Sequence, residues 1–150
     1  MTSAGEDTNG SASGAAYLMA GPVSSGNVAS YFLKVAGASG GDKVLSAAAA
    51  DFDGDGSSEF LVGATDVSGS ASTSGAAYLF YGVMSGQVDT STADYTMFGV
   101  DQNDGAGSRV RFSGDMDGSG LPSIMIGAPN ADANGADAGA LYIIPDALTD

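Results

Sequence analysis

The chain has 150 residues, 43% of them hydrophobic, with 24 glycines and no cysteine, histidine or tryptophan. That length suits one domain with a packed core, and the missing residue types exclude His-based acid–base chemistry, thiol nucleophiles, disulfides and most zinc sites. Eighteen acidic residues against four basic ones (Lys34, Lys43, Arg109, Arg111) give −14, a charge that repels nucleic acid and anionic membranes and attracts cations.

Residues 1–14, MTSAGEDTNGSASG, lack the basic and apolar regions of a signal peptide and read as the interior of a loop, as though Met1 had been placed at a cut in a longer protein. After them come short apolar segments, each bounded by Gly, Asp, Asn, Ser or Pro: Ala15–Ala20, Ala29–Val35, Val44–Ala50, Glu59–Gly63 and Ala76–Tyr81. Asp94–Gly99, Arg109–Ser113, Ser123–Gly127 and Ala140–Ile144 follow. Segments of this length with turn residues between them predict β-strands. Frequent glycine supplies the positive φ that tight turns need and disfavours helix. No stretch approaches the 18 apolar residues of a membrane span, so no membrane insertion is expected.

The segments repeat. GAAYLMAG starts at Gly14, GAAYLFYG at Gly75 and GALYIIPD at Gly139. DFDGDG at Asp51 returns as DMDGSG at Asp115, and FLVGAT at Phe60 as IMIGAP at Ile124, both after 64 residues. Ser25-Gly26-x-Val28 recurs as Ser85-Gly86-x-Val88 after 60, and Tyr31 and Tyr95 are again 64 apart. Four short strands per repeat describe a blade of a β-propeller, whereas a solenoid coil would repeat at a much shorter period. The expected fold is all-β, with four-stranded antiparallel blades, about two blades plus one strand, in a single unit spanning 1–150. Blade boundaries are expected near 36–43 and 100–107. The small side chains of Ser46 to Ala50 suit the innermost strand, where blades converge.

Residues 51–59 read D-F-D-G-D-G-S-S-E. Asp51, Asp53 and Asp55 fall at alternate positions of a turn, Gly54 and Gly56 let the backbone wrap around one point, the Ser57 carbonyl adds an oxygen, and Glu59 closes the shell. Hard oxygen donors on a flexible loop suit Ca²⁺. Without a cation the clustered carboxylates repel one another. The loop is not an EF-hand, because position 12 is Val62 and an apolar strand follows directly. A metal-free Asp-Gly hairpin turn is the competing reading. The second copy keeps Asp115 and Asp117 but has Ser119 and Ser123 in place of Asp55 and Glu59, with the Leu121 carbonyl in reach. It would hold Ca²⁺ more weakly, or serve as an empty turn.

The run DFDGDGSSEFLVGA (51–64), repeated over 105–142 with Gly127-Ala128-Pro129 as its "GAP", resembles the FG-GAP repeat of integrin α-subunit propellers and their bacterial relatives. Phe98-Gly99 matches the "FG". Thr65 replaces the Pro of "GAP", and Lys34-Val35 stand where the first "FG" is expected. The resemblance implies a propeller with structural Ca²⁺ in some blade loops, serving adhesion, ligand recognition or scaffolding at cell surfaces. The expected function is therefore a non-catalytic, extracellular Ca²⁺-binding module with an unknown protein or glycan ligand. Alternatives are a propeller lectin, or the accessory propeller of a secreted hydrolase. Tyr17, Tyr78 and Tyr142, one per repeat, would be core in the first case and sugar-stacking platforms in the lectin. Two blades and a spare strand leave apolar faces open, so a homo-oligomeric ring is expected, a trimer of six blades or a tetramer of eight.

Overall fold

A computed structural model describes residues 1–19, 31–132 and 135–145. Ala20, the Ser25–Val28 motif and the first two residues of the segment expected at Ala29–Val35 lie outside them. The described chain is built from β-strands: β1 (Thr2–Ser3), β2 (Ala15–Leu18), β3 (Leu33–Ala36), β4 (Val44–Ala50), β5 (Glu59–Ala64) and β6 (Ala76–Phe80), then β7 (Gly86–Asp89), β8 (Tyr95–Phe98), β9 (Arg109–Phe112), β10 (Ile124–Ala128) and β11 (Ala140–Ile144). They form three sheets, ordered β1-β2-β3-β7, β4-β5-β6-β8 and β9-β10-β11.

The middle sheet is an antiparallel four-stranded blade in which all four strands run in the order the repeat predicts. The strands lie in three sheets rather than in two blades with one spare. β11 belongs to the third sheet with β9 and β10, and β1 extends the first. The chain passes between sheets at 37–43 and 99–108.

Two strands were not expected. β1 pairs Thr2 with Ala16 and Ser3 with Ala15, as Gly63 and Ala64 pair with Ala77 and Ala76 in the middle sheet, so β1 is the end of a second-strand equivalent. β7 leaves the middle blade and lies parallel along β3, the outer strand of the first sheet, with Leu33 opposite Gly86 and Val35 opposite Val88. This parallel strand pairing, together with the bridge from Gly14 to Val44, ties the first two sheets together.

Pairing also corrects two alignments made from spacing. Ala15 faces Ala36 as Ala76 faces Phe98, so Phe98-Gly99 corresponds to Ala36-Gly37 and not to Lys34-Val35. By the same register Leu33, not Tyr31, corresponds to Tyr95. The shorter excursion before β3 shifts the phase.

Strand alternation puts apolar residues on both faces of the middle blade. Val62, Ala64, Ala76, Tyr78 and Phe80 pack against Ala16, Leu33 and Val35 of the first sheet. Leu61, Ala77, Leu79 and the loop residue Phe52 pack against Val110, Ile124 and Ile126 of the third. Neighbouring sheets approach closely at Gly14 and Gly75. Both have left-handed φ (71° and 78°) and bridge to Val44 and Ala106 respectively. A Cβ there would run into the backbone of the next blade, so only glycine fits.

Candidate metal centre

β4 and β5 are joined by the loop 51–58, and the register Ala50 opposite Glu59 closes it at its base. Glu59 opens β5 yet is fully buried. Its Oε2 accepts from the backbone N–H of Phe52 at 2.6 Å and of Asp53 at 3.4 Å. Its Oε1 is equally buried and has no hydrogen-bond partner. A buried carboxylate oxygen left unpaired is costly unless something cationic meets it.

The other acids are held by the loop backbone. Asp51 Oδ2 accepts from Gly56 N at 3.1 Å, and Asp53 Oδ1 from Asp55 N at 3.0 Å. Gly54 and Gly56 make this wrap possible with φ of 78° and 88°. As a result Asp51, Asp53 and Glu59 bring one carboxylate oxygen each within 4.8 Å of one another. Asp55 is outside this group: its Oδ1 accepts from Ser57 N at 2.6 Å. Three of the expected acids thus converge, while Asp55 shapes the turn together with Ser57.

The second loop is arranged differently. Asp115 accepts from the N–H groups of Asp117, Gly118 and Ser119 on Oδ1 and of Gly120 on Oδ2. These bonds, Gly120's first and Gly118's next, hold its carboxyl below the usual range. Asp117 accepts from Ser119 N, and Ser119 Oγ from Leu121 N. Ser123 sits at Glu59's position, fully buried, with no charge to neutralise. The Asp115 and Asp117 carboxylates are met by the loop's own backbone, while the buried Ser123 Oγ has no hydrogen-bond partner. Leu121 packs towards Gly54 of the first loop, where a Cβ would lie 2.9 Å from its Cδ2.

Two further features carry no signal in the sequence. Tyr81 packs beside Phe52 and its hydroxyl is buried without a partner. Burial, then Tyr95, then Asp53 and Glu59 push its phenol up to about 12. On the outer side of the first sheet, Glu6 accepts from Thr8 Oγ1 at 2.6 Å, Tyr17 OH at 2.8 Å and Lys34 Nζ at 3.0 Å. Those three bonds bring the Glu6 carboxyl down to about 2. Glu6 lies 28 residues from Lys34, a separation at which no pattern links them. Tyr17 and Tyr78 are buried between or against sheets and Tyr142 is packed in the second core, as core residues would be.

The strand–acidic loop–strand–strand unit from Val44 to Phe80 coincides with a known family: residues 44–80 match the FG-GAP repeat. This is a β-propeller repeat, and the matched span holds β4, the acidic loop, β5 and β6, three strands of the middle blade. FG-GAP repeats are typical of extracellular proteins, and among the described residues no helix is long and apolar enough to cross a membrane. No curated protein matches the chain.

Proposed function

We propose that this FG-GAP propeller module binds Ca²⁺ through Asp51, Asp53 and Glu59 and acts outside the cell as a non-catalytic scaffold for adhesion or ligand recognition. The observation that carries the reading is the unpartnered, fully buried Oε1 of Glu59 beside two further carboxylates. The donor set is all hard oxygen, which fits Ca²⁺, and the loop glycines provide the flexible wrap that this ion accepts more readily than Mg²⁺ does. When bound, the cation would supply charge neutralisation at the base of the blade. Asp51, Asp53 and Glu59 would hold it, Phe52 N and Asp53 N would keep Glu59 oriented, and the clamped loop would fix the β4–β5 turn.

The test is calorimetric titration of CaCl₂ into EGTA-treated protein, with thermal melts alongside. Binding is expected near 10⁻⁴ M, roughly as for extracellular modules, and about 2.7 kcal/mol of stabilisation at a hundredfold excess. Glu59→Gln should abolish the Ca²⁺ response and raise the melting temperature of the metal-free protein, since a buried charge is gone. A melting temperature indifferent to both Ca²⁺ and EGTA overturns the metal reading.

A glycan-binding role is favoured by one feature, a cleft of about 530 Å³ between the first two sheets lined by Asp42, Asp66, Thr96 and Phe98 among others. Phe98 is 49% exposed, packs against Gly69 and shares the cleft lining with Asp42 and Asp66. A glycan array with Phe98→Ala as control separates this reading from a pure scaffold.

A further inference from the structure

On the side of the middle blade that meets the third sheet, two buried polar atoms have no hydrogen-bond partner among the described residues: Glu59 Oε1 and the Tyr81 hydroxyl. The strand register brings their residues together. Phe60 stands opposite Phe80 across β5 and β6, so Glu59 and Tyr81, one residue past that pair, are the next neighbours. Leu61 and Leu79, two positions inward, lie on the same face in the second core, against which Tyr81 also packs. Side chains at such opposite positions have Cβ atoms about 5 Å apart.

Tyr81 is held against the acidic loop itself. Its ring lies 6.4 Å from that of Phe52, the residue between Asp51 and Asp53, and 5.9 Å from that of Tyr95. The backbone N–H of Phe52 is the one that fixes Glu59 Oε2. The Tyr81 N–H donates to Asp94 Oδ2 at 2.7 Å and pins the chain where it leaves β6. After burial and Tyr95, Asp53 and Glu59 are the next groups that push the phenol up, so the hydroxyl stands in the field of both carboxylates. It bonds to neither. Two such orphans side by side are costly unless one polar partner serves both, which is the usual part of a buried water.

The repeat pairs the two residues as well. Sixty-four residues on, Ser123 stands in place of Glu59 and Pro145 in place of Tyr81. The packing residues around them keep their character, with Met125 for Leu61, Tyr142 for Tyr78 and Ile143 for Leu79. The loop with the full acidic set has the tyrosine. The loop without the buried acid has no hydroxyl at that position.

We propose that Tyr81 belongs to the cation site of the first loop, its hydroxyl accepting a hydrogen bond from a water on the ion that Asp51, Asp53 and Glu59 hold. It is a positioning residue that acts through that water, since carboxylates, carbonyls and waters are the ordinary ligands of Ca²⁺ and a neutral phenol is not. The inference rests on the cation reading above and adds to it a group that lies outside the acidic loop.

Tyr81→Phe removes one oxygen and keeps the ring, so the metal-free and metal-bound proteins should respond with opposite sign. In EGTA the variant should melt at or above the wild-type temperature, because an unpartnered buried hydroxyl is gone. In saturating CaCl₂ it should melt below wild type, and calorimetric titration should give a Kd raised about three- to tenfold. The Ca²⁺-induced near-ultraviolet difference spectrum, a tyrosine signal in a chain without tryptophan, should fall sharply. Tyr31→Phe, beside Tyr17 on the first sheet, should match wild type in all three measurements. Ca²⁺ binding by wild type with the same Kd in Tyr81→Phe overturns the role of Tyr81 and leaves the cation site standing. A variant less stable than wild type in EGTA overturns it too, since the hydroxyl then serves the metal-free fold. A wild type indifferent to Ca²⁺ overturns both readings.

Discussion

At the scale of single residues, Glu59 and Ser123 form a natural comparison. They hold the same buried position in successive repeats, one charged and one neutral. Ser123→Glu should therefore install an unpaired carboxylate under the second loop. In EGTA it should cost about 2–3 kcal/mol, and Ca²⁺ should restore part of the loss, because Asp115 and Asp117 stand above it. A chemical denaturation series with and without Ca²⁺ reads both effects. Glu6 makes a second residue-scale prediction. Its pKa falls from an ordinary 4.5 to about 2 in the fold. Stability from this group is thus complete above about pH 4.5 and is lost as pH falls through about 2. The side chain is 29% exposed, so the discounted contribution is on the order of 1 kcal/mol. Glu6→Gln should lower stability at neutral pH by that amount and flatten the acid limb between those two values.

At the scale of elements, the repeat made most strands legible. Alternating small and apolar residues between glycines located β4, β5, β6, β8, β10 and β11 within a residue or two. The acidic loop was equally plain, because three Asp at alternate positions followed by Glu serve no ordinary turn. β1 was missed because two residues have no pattern of their own. Its signal was present in phase: Ser3 precedes Gly14 by 11 residues, as Ala64 precedes Gly75 and Ala128 precedes Gly139. β7 could not have been read, since Gly86–Asp89 is a polar run whose strand character comes entirely from its partner β3. The exclusion of Asp55 from the carboxylate group is likewise invisible in spacing, being decided by which backbone N–H it meets. The glycines separate two kinds of constraint. Gly75 has both positive φ and the backbone of Ala106 where a Cβ would lie, whereas Gly41 has φ of 89° and open space. Gly75→Ala should cost roughly 3 kcal/mol or more and Gly41→Ala about 1, measurable by urea denaturation.

At the scale of the whole molecule, the middle blade is packed on both sides, whereas the third sheet leaves Leu141 and Ile143 exposed. Truncation in the second core is therefore expected to loosen the third sheet before the others. Leu79→Ala, at a fully buried site between the middle and third sheets, should cost about 2–4 kcal/mol. Hydrogen exchange should show the protection of β9, β10 and β11 falling first. The charge acts globally too. With −14 spread over the surface, moderate NaCl should raise the melting temperature even in EGTA. The size of that rise, subtracted from the Ca²⁺ effect, isolates the contribution of the loop.

The strap formed by β7 has a mechanical consequence. To separate the first two sheets, a pulling force must slide β7 along β3 and break their parallel bonds together, as cloth torn along a seam loads many stitches at once. Among the described residues the middle and third sheets are joined by no paired strands but by the Gly75–Ala106 bridge, isolated hydrogen bonds such as Ser46 Oγ to Gly107 O, and side-chain packing. Drawn by its ends in an optical trap, the molecule should therefore give way in two steps. The third sheet peels off at low force, and the first and second then yield as one body at a higher force. Moving the attachment to Phe32 and Asp89 would load the strap lengthwise and raise its rupture force above that of the remaining fold.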